Sequence, residues 1–265
     1  IQNNHWLSLF DVDRSCILDP LTQPLPFTPF KDFTGRSINE INLYSTEMSS
    51  ALCSIDRVSA SANMNNRLSE AIVEAYKSTN GTPISFELML KCYQSRMKDA
   101  NNDDSISSVL KQLVNAHIFE SEDKVSLIDD SYIIKMDGYP KDGPIAKAIV
   151  YFLMSKLNNI YELLDKQAVN DEVVQIRHFS IIDEAHYMLD FDNRPLRNLI
   201  AVGRNKGLSI ILATQNMSSF KSKGFDFYAN AQYPLIMKQQ TIDDKVIKDL
   251  FGVSGQELQE IRTAI

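Results

Sequence analysis

The sequence has few of the residues that mark secreted or metal-binding proteins. Its 265 residues include only three cysteines, Cys16, Cys53 and Cys92, whose wide separation matches no metal-binding or paired-cysteine motif. The four histidines are scattered and form no zinc-binding motif. This composition predicts a protein of the reducing cytoplasm.

Long hydrophobic runs are also missing. A membrane-spanning helix needs about 18 or more apolar residues in succession, and the nearest candidate, AIVYFLM at 148–154, is bracketed by Lys147 and Lys156. We therefore expect a buried helix there, no membrane partner and no signal peptide. Because the sequence begins at Ile1 rather than methionine, we also expect it to be part of a longer protein.

Acidic residues are absent from one stretch of an otherwise acidic chain. The formal net charge is −7, yet residues 194–224 contain six basic residues and no aspartate or glutamate. Residues 99–130, in contrast, carry eight acidic residues against two lysines. A basic stripe can bind a polyanion, although two solvated surfaces of opposite charge would give the same pattern.

Helix and strand patterns divide the chain into three predicted segments. Residues 1–60 contain short strands, the proline-rich DPLTQPLPFTPF (19–30) and a helix at 38–59. Residues 61–130 hold three helical patterns and are predicted to form an all-helical insertion. In 131–265, apolar strands alternate with helices, which predicts an α/β fold whose mainly parallel sheet is covered by helices.

The third segment can be read element by element. The predicted strands are 131–140, 173–182, 208–214 and 233–239, and the predicted helices are 143–167, 194–207 and 243–251. Pro144 suits the first turn of the helix at 143–167, and LSIILAT at 208–214 has the composition of a buried strand.

Polar side chains follow two of these strands at the point where each strand ends. Asp183 and Glu184 follow HFSII, and Thr214 and Gln215 end the strand that comes next in the chain. Crossovers between parallel strands are right-handed in nearly all known cases, so both strand ends should open onto one edge of the sheet. Ligands bind at that edge in α/β proteins. We therefore expect the acid pair and the carboxamide to share one crevice.

This combination suits phosphoryl transfer to water. Asp183 can hold Mg²⁺, which prefers hard oxygen ligands, and Glu184 can accept a proton from the attacking water. Gln215 can orient that water or respond to the γ-phosphate. We assign Asp183 and Thr214 to nucleotide binding. An acid pair that merely caps a loop is the commoner meaning of such a strand end, and the second motif, GRNKGLSIILATQ, favours the functional reading.

The motifs SIIDEAHYML and GRNKGLSIILATQ and the tail FYANAQYPLIMKQQTIDDKVIKDLFGVS resemble the second half of HerA/FtsK-type P-loop ATPases over about 131–258. The family consists of hexameric motors that move double-stranded DNA. The tail is most similar to HerA-like translocases of bacterial DNA-defence systems, such as the large ATPase of phosphorothioation-dependent restriction. The resemblance implies a RecA-like fold, ATP and Mg²⁺ as cofactors, a homo-oligomeric ring, and nuclease or other defence subunits as partners.

The resemblance also assigns roles to single residues. Asp183 matches the Walker B metal-binding acid, Glu184 the catalytic base and Gln215 the sensor glutamine. Arg204 matches an arginine that reaches the nucleotide of the neighbouring subunit, where it neutralises charge on the transferred phosphate. The alternative for Arg204 is a solvated cation at a helix end.

One required motif of the family is missing from the sequence. The phosphate-binding loop GxxxxGK[ST] does not occur. The segment GYPKDGPIAK (138–147) has two suitably spaced glycines, but Pro144 stands where lysine is required. The resemblance therefore implies that the first strand, the phosphate-binding loop and its helix lie upstream of Ile1. Lys221 and Lys223 are candidate contacts to DNA phosphates, or else part of an ordinary basic loop.

Two other functions are compatible with parts of this pattern. Asp-Glu-Ala-His also occurs in superfamily 2 helicases, but these have a Ser-Ala-Thr-type strand end and a second RecA-like domain. The other alternative is a catalytically silent remnant that serves as a scaffold or assembly subunit. The joint presence of Asp183, Glu184, Arg204 and Gln215 argues against it.

Overall fold

The computed structural model divides the chain into two compact units, residues 1–215 and 216–265. The residues that the structure describes are 17–55, 60–99, 102–170, 173–215, 221–222, 225–233, 235 and 244–263. The boundary between the units falls within the predicted third segment, directly after Gln215. The predicted division at residues 60 and 130 stays a prediction.

The first unit contains seven α-helices and six strands in its described ranges. The helices are α1 (Ile38–Ile55), α2 (Ala62–Ser78), α3 (Phe86–Gln94), α4 (Ser105–Ala116), α5 (Pro144–Leu163), α6 (His186–Leu189) and α7 (Arg194–Val202). The strands are β1 (Ile17–Leu18), β2 (Ile133–Ile134), β3 (Val169–Asn170), β4 (Val173–Val174), β5 (His178–Ile182) and β6 (Leu208–Leu212). Of the helices in the described ranges, none combines the length and apolar character needed to span a bilayer.

Helices α1 to α4 pack one against the next in chain order. Each buries one apolar stripe, as the 3.6-residue spacing predicts; in α2 the stripe contains Leu68, Ile72 and Tyr76, all fully buried. Ser61, Ser85 and Asp104 cap the first turns of α2, α3 and α4 through their side-chain oxygens.

The proline-rich segment joins this helical layer to α5. Leu25 and Phe27 are fully buried, and Leu25 forms a parallel bridge with Phe119 after α4. The Phe30 ring contacts the rings of Phe86 and Phe152 at centroid distances of 4.9 and 5.6 Å. The segment is thus an extended connection held by its leucines and phenylalanines.

The strands form short ladders. In the described residues β1 pairs with β2 and β5 with β6, both in parallel, while β3 and β4 form an antiparallel hairpin. The α/β organisation predicted from the sequence is therefore present, with shorter strands than predicted. The predicted strand at 173–182 is divided into β4 and β5, and 131–140 contains only the two residues of β2.

One face of the β5–β6 pair is exposed. Phe179 and Ile181 of β5 and Ile211 of β6 share that face and are 55%, 69% and 45% exposed. The prediction that 208–214 is a buried strand is therefore wrong for this face. The apolar residues on this face are nevertheless typical of parallel sheets, which are normally packed on both sides.

The second unit adds short elements. They are β7 (Lys221–Ser222), β8 (Phe225–Asp226), α8 (Phe227–Asn230), α9 (Asp244–Phe251) and α10 (Gly255–Thr263). Strands β7 and β8 form an antiparallel hairpin, and Arg262 of α10 forms an ion pair of 2.6 Å with Asp244 of α9. The predicted helix at 243–251 is confirmed as α9, whereas most of the predicted strand at 233–239 lies outside the described residues.

Asp104 links three helices of the first unit. Its carboxylate caps α4, accepts a hydrogen bond of 2.7 Å from Tyr93 Oη of α3 and forms an ion pair of 3.2 Å with Arg67 of α2. A capping box with Ser107 completes the arrangement.

We predict that Asp104→Ala lowers the free energy of unfolding by about 2–4 kcal/mol, because it removes the cap and leaves Tyr93 and Arg67 without their acceptor. Chemical denaturation followed by circular dichroism measures the change. Asp103→Ala is the matched control, since the neighbouring carboxylate is exposed and pairs with Lys111 at the surface. An equal loss in both variants would contradict the linking role of Asp104.

His178 at the start of β5 gives the fold a pH dependence. Its ring stacks on that of Tyr161 with a centroid distance of 6.4 Å, and its buried Nδ1 has no hydrogen-bond partner among the described residues. Burial lowers the pKa of His178 below its ordinary value of 6.5. The folded protein therefore binds fewer protons than the unfolded chain when the pH falls below about 6.5.

We predict that stability is lost as the pH falls through this range and that His178→Phe weakens the dependence, because phenylalanine keeps the stacking and cannot bind a proton. Urea denaturation at a series of pH values measures it. His117→Asn is the control, since His117 is exposed and lies in the left-handed position that ends α4. An unchanged pH slope in His178→Phe would refute the prediction.

Candidate active site

The register of β5 and β6 brings their carboxyl ends level. Ile182 pairs with Leu212, and the ladder continues past both strands because the Ala213 amide donates to the Ile182 carbonyl at 2.9 Å. Asp183 and Glu184 come directly after β5, and Thr214 and Gln215 follow Ala213 after the end of β6. All four therefore follow the strands at one edge of the sheet.

The turn after β5 has an unusual backbone. Glu184 has a φ of +52°, in the left-handed region that glycine and asparagine prefer. The Glu184 amide donates to Asp183 Oδ1 at 2.9 Å, and the Ala185 amide donates to the Ala213 carbonyl at 2.8 Å. These bonds fix the turn against the end of β6. Non-glycine residues in this conformation cluster at functional sites.

The structure brings Glu184 and Gln215 into contact. Gln215 Nε2 donates a hydrogen bond of 3.1 Å to Glu184 Oε1, although the two residues are 31 positions apart. Asp183 lies beside them with an exposed side chain. The three residues proposed for metal binding, proton transfer and sensing are thus neighbours at one edge, while their catalytic roles stay predictions.

His186 belongs to the same cluster, which the sequence reasoning missed. Its Nδ1 lies 3.2 Å from Thr214 Oγ1 and 3.4 Å from Glu184 Oε2. The side chains of His186 and Glu184 are 22% and 27% exposed, so both can be reached from solvent. The available signal was a histidine in the first turn after the acid pair, but only the strand register shows that it faces Thr214.

No lysine or arginine of the described residues neutralises the acid pair. Within the part of the chain that the structure describes, no lysine or arginine forms an ion pair with Asp183 or Glu184. Two adjacent carboxylates repel each other unless solvent or a cation compensates their charge. The cluster therefore carries local negative charge at an exposed edge.

The donors of this cluster fit Mg²⁺. Carboxylate and hydroxyl oxygens are the hard ligands that Mg²⁺ prefers, and Asp183, Glu184 and Thr214 provide them. Among the described residues, no three His, Cys, Asp or Glu side chains converge as a complete metal site. Magnesium usually needs only one or two protein carboxylates and takes its other ligands from water and phosphate, so this set is sufficient.

An ion pair between a buried lysine and an exposed aspartate holds the segment after the acid pair. Lys147 of α5 has a side chain only 3% exposed, and its Nζ lies 3.0 Å from Asp190 Oδ2 at the end of α6. The amide of Asp192 donates to Ser54 Oγ of α1 at 3.0 Å. Helix α6 is thereby fixed to two longer helices, and the Glu184 turn precedes it directly.

The glycine-containing segment 138–143 also reaches this region. Lys141 Nζ lies 5.8 Å from the centroid of the Tyr187 ring, which contacts the His186 ring at 4.1 Å. Gly143 caps α5 and Pro144 occupies its first turn, as the sequence predicts. A proline there removes an amide that a phosphate-binding turn would need, so the exclusion of this segment as a phosphate-binding loop stands.

Arg204 lies away from the acid pair. It is exposed and belongs to the 3-10 turn Gly203–Lys206, which precedes β6. The five residues of β6 place it about 16 Å from the strand's carboxyl end. Lys221 begins β7 in the second unit, and Lys223 lies outside the described residues. The structure thus places Arg204 apart from Glu184, while the proposed DNA contacts of Lys221 and Lys223 stay predictions.

Comparisons with known proteins support the fold. No family model and no curated protein matches the sequence. Among solved structures, that of VirB4 of Thermoanaerobacter pseudethanolicus is similar, with a TM-score of 0.63 and 18% sequence identity over 94% of this chain and 68% of the VirB4 chain. Similarity at this identity shows the fold alone. The chain has an α/β fold of the RecA-like kind found in P-loop ATPases, as predicted from the sequence.

Proposed function

We propose that this chain is the part of an ATP-hydrolysing P-loop motor that carries the magnesium-binding acid, the catalytic base and the sensor. The observation that carries the proposal is the hydrogen bond between Gln215 and Glu184 at the level ends of β5 and β6. An acid pair that merely capped a loop would have no need of a carboxamide from the neighbouring strand. The RecA-like fold is consistent with the same chemistry.

The geometry gives each side chain a task in ATP hydrolysis. Glu184 accepts a proton from water while the water oxygen bonds to the γ-phosphorus and the bond to the ADP oxygen breaks. Gln215 holds the Glu184 carboxylate and can also contact the water. Asp183 and Thr214 supply oxygens for Mg²⁺, which neutralises phosphate charge when bound. The phosphate-binding loop must come from residues outside this sequence.

Arg204 supports a ring of identical subunits as the working form. Because it lies at the opposite end of β6 from Gln215, it cannot serve the acid pair of its own chain. An exposed arginine in this position can instead reach a nucleotide bound by a neighbouring subunit, as in ring-shaped motors. We propose a homo-oligomer, hexameric by the resemblance, in which Arg204 acts between subunits.

Double-stranded DNA is the polymer that we propose for this motor. The basic stretch 194–224, including Lys221 and Lys223, offers contacts to phosphates without reading bases. The acidic remainder of the chain would keep nonspecific binding weak. A cytoplasmic role in DNA defence, with a nuclease as partner, follows from the resemblance and stays part of the proposal.

The function is tested with a protein in which the natural upstream sequence precedes this chain. We expect Mg²⁺-dependent ATP hydrolysis whose kcat falls about 100- to 10,000-fold in Glu184→Gln, because the general base is lost, while ATP binding is retained. The 265-residue chain alone, which contains no GxxxxGK[ST], should bind ATP poorly and hydrolyse almost none. Turnover by this chain alone, abolished by Glu184→Gln, would overturn the assignment of the phosphate-binding loop to upstream sequence.

The same ATPase measurement distinguishes a motor from a catalytically silent scaffold. A silent scaffold would lack turnover with the upstream sequence present, and Glu184→Gln would change nothing. Asp137→Asn is a suitable control, since Asp137 is a carboxylate of the first unit outside the cluster. Equal losses in Glu184→Gln and Asp137→Asn would point to a general structural effect and count against the proposed base.

We predict that Arg204→Ala and Glu184→Gln complement each other in mixed assemblies of the longer protein. Each variant alone should be nearly inactive, because one lacks the arginine and the other lacks the base at every site. In a mixed ring, some interfaces between subunits combine an intact Glu184 in one subunit with an intact Arg204 from its neighbour. ATPase assays over a series of mixing ratios measure the recovered activity. If the ATPase activity of the mixtures never exceeds the summed activities of the two separate variants, Arg204 does not act between subunits.

A further inference from the structure

His186 stands at a junction between Glu184 and the end of β6. Its Nδ1 faces two oxygens, Thr214 Oγ1 at 3.2 Å and Glu184 Oε2 at 3.4 Å. Gln215 holds the other carboxylate oxygen, Oε1, at 3.1 Å. Both oxygens of the Glu184 carboxylate thus have a neighbour: Gln215, which follows β6, contacts Oε1, and His186 contacts Oε2.

The chemistry of these partners favours hydrogen on Nδ1 of His186. An ionised carboxylate only accepts hydrogen bonds, whereas the threonine hydroxyl can donate or accept. An unprotonated Nδ1 would direct its lone pair at the carboxylate, which is repulsive. The favourable arrangement therefore has hydrogen on Nδ1, donated towards Glu184 and shared with Thr214.

The ring itself is held in place. It contacts the neighbouring Tyr187 ring at a centroid distance of 4.1 Å. Lys141 Nζ lies over that Tyr187 ring, 5.8 Å from its centroid. His186 begins α6, whose end is tied to α5 through Lys147 and Asp190. The imidazole is therefore a fixed point between the turn that carries Glu184 and the strand that carries Thr214.

We propose that His186 is a positioning residue that couples the catalytic base to the end of β6. Through Thr214 and Gln215, a shift of that strand end moves or releases both oxygens of the Glu184 carboxylate together. The orientation of the base, and with it the hydrolysis rate, then follows the state of β6. This inference rests on the proposed function for its catalytic consequence, but the contact on which it depends can be tested without ATP.

The first experiment observes the His186 imidazole in the 265-residue chain alone. Nitrogen-15 NMR at about two pH units above the usual histidine pKa of about 6.5 distinguishes which ring nitrogen carries hydrogen. We expect hydrogen on Nδ1 of His186, assigned by its loss in His186→Asn, and a change towards the Nε2–H form in Glu184→Leu. Hydrogen on Nε2 in the unmodified chain would overturn the proposal.

The second experiment measures ATP hydrolysis by the longer protein. His186→Ala should lower kcat about 10- to 100-fold with little change in KM, since a displaced base misaligns the reaction without weakening nucleotide binding. His186→Asn, which can place an amide N–H near the Nδ1 position, should recover most of the activity. His117→Asn, at the exposed end of α4, should behave like the unmodified protein.

Thr214 provides the test of coupling. Thr214→Val removes the hydroxyl that lies 3.2 Å from His186 Nδ1 and should lower kcat. Combined with His186→Ala, Thr214→Val should lower kcat by less than the product of the two separate losses, because both changes break one connection. Any loss that Thr214→Val causes at the Mg²⁺ site is the same in both backgrounds. Independent, multiplying losses would refute the coupling. If the unmodified longer protein does not hydrolyse ATP, the proposed function falls, while the NMR result still decides whether the contact exists.

Discussion

The parallel, in-register pairing of β5 with β6 is the constraint on which the candidate site depends. A slip of one residue would turn every side chain of one strand to the opposite face and separate Gln215 from Glu184. The register is maintained beyond the strands by backbone bonds from Ala213 to Ile182 and from Ala185 to Ala213. The side-chain cluster is therefore a consequence of the ladder.

The helices were largely predictable because their signals are local. Pro144 lies in the first turn of α5 as the sequence predicts, and Asp104 and Asn193, of residue types that favour helix starts, cap α4 and α7. The strands were predicted too long, since an apolar run carries no information about where its ladder partner stops. The antiparallel pairing of β3 with β4 was missed because 173–182 was predicted as one continuous strand.

The candidate site was predictable only in outline. Right-handed crossover geometry suffices to expect Asp183, Glu184 and Gln215 at one edge of the sheet. It says nothing about His186, whose role depends on the distance between two turns that are 28 residues apart in the chain. The exposed face with Phe179, Ile181 and Ile211 was equally unpredictable, because covered and uncovered apolar faces have the same residue pattern.

The left-handed backbone of Glu184 has a consequence for how this position tolerates change. Glycine or asparagine would relieve about 1 kcal/mol of conformational cost there, so folding alone favours replacing the glutamate. The residue best suited to the backbone at this position is therefore not the residue that the chain has there.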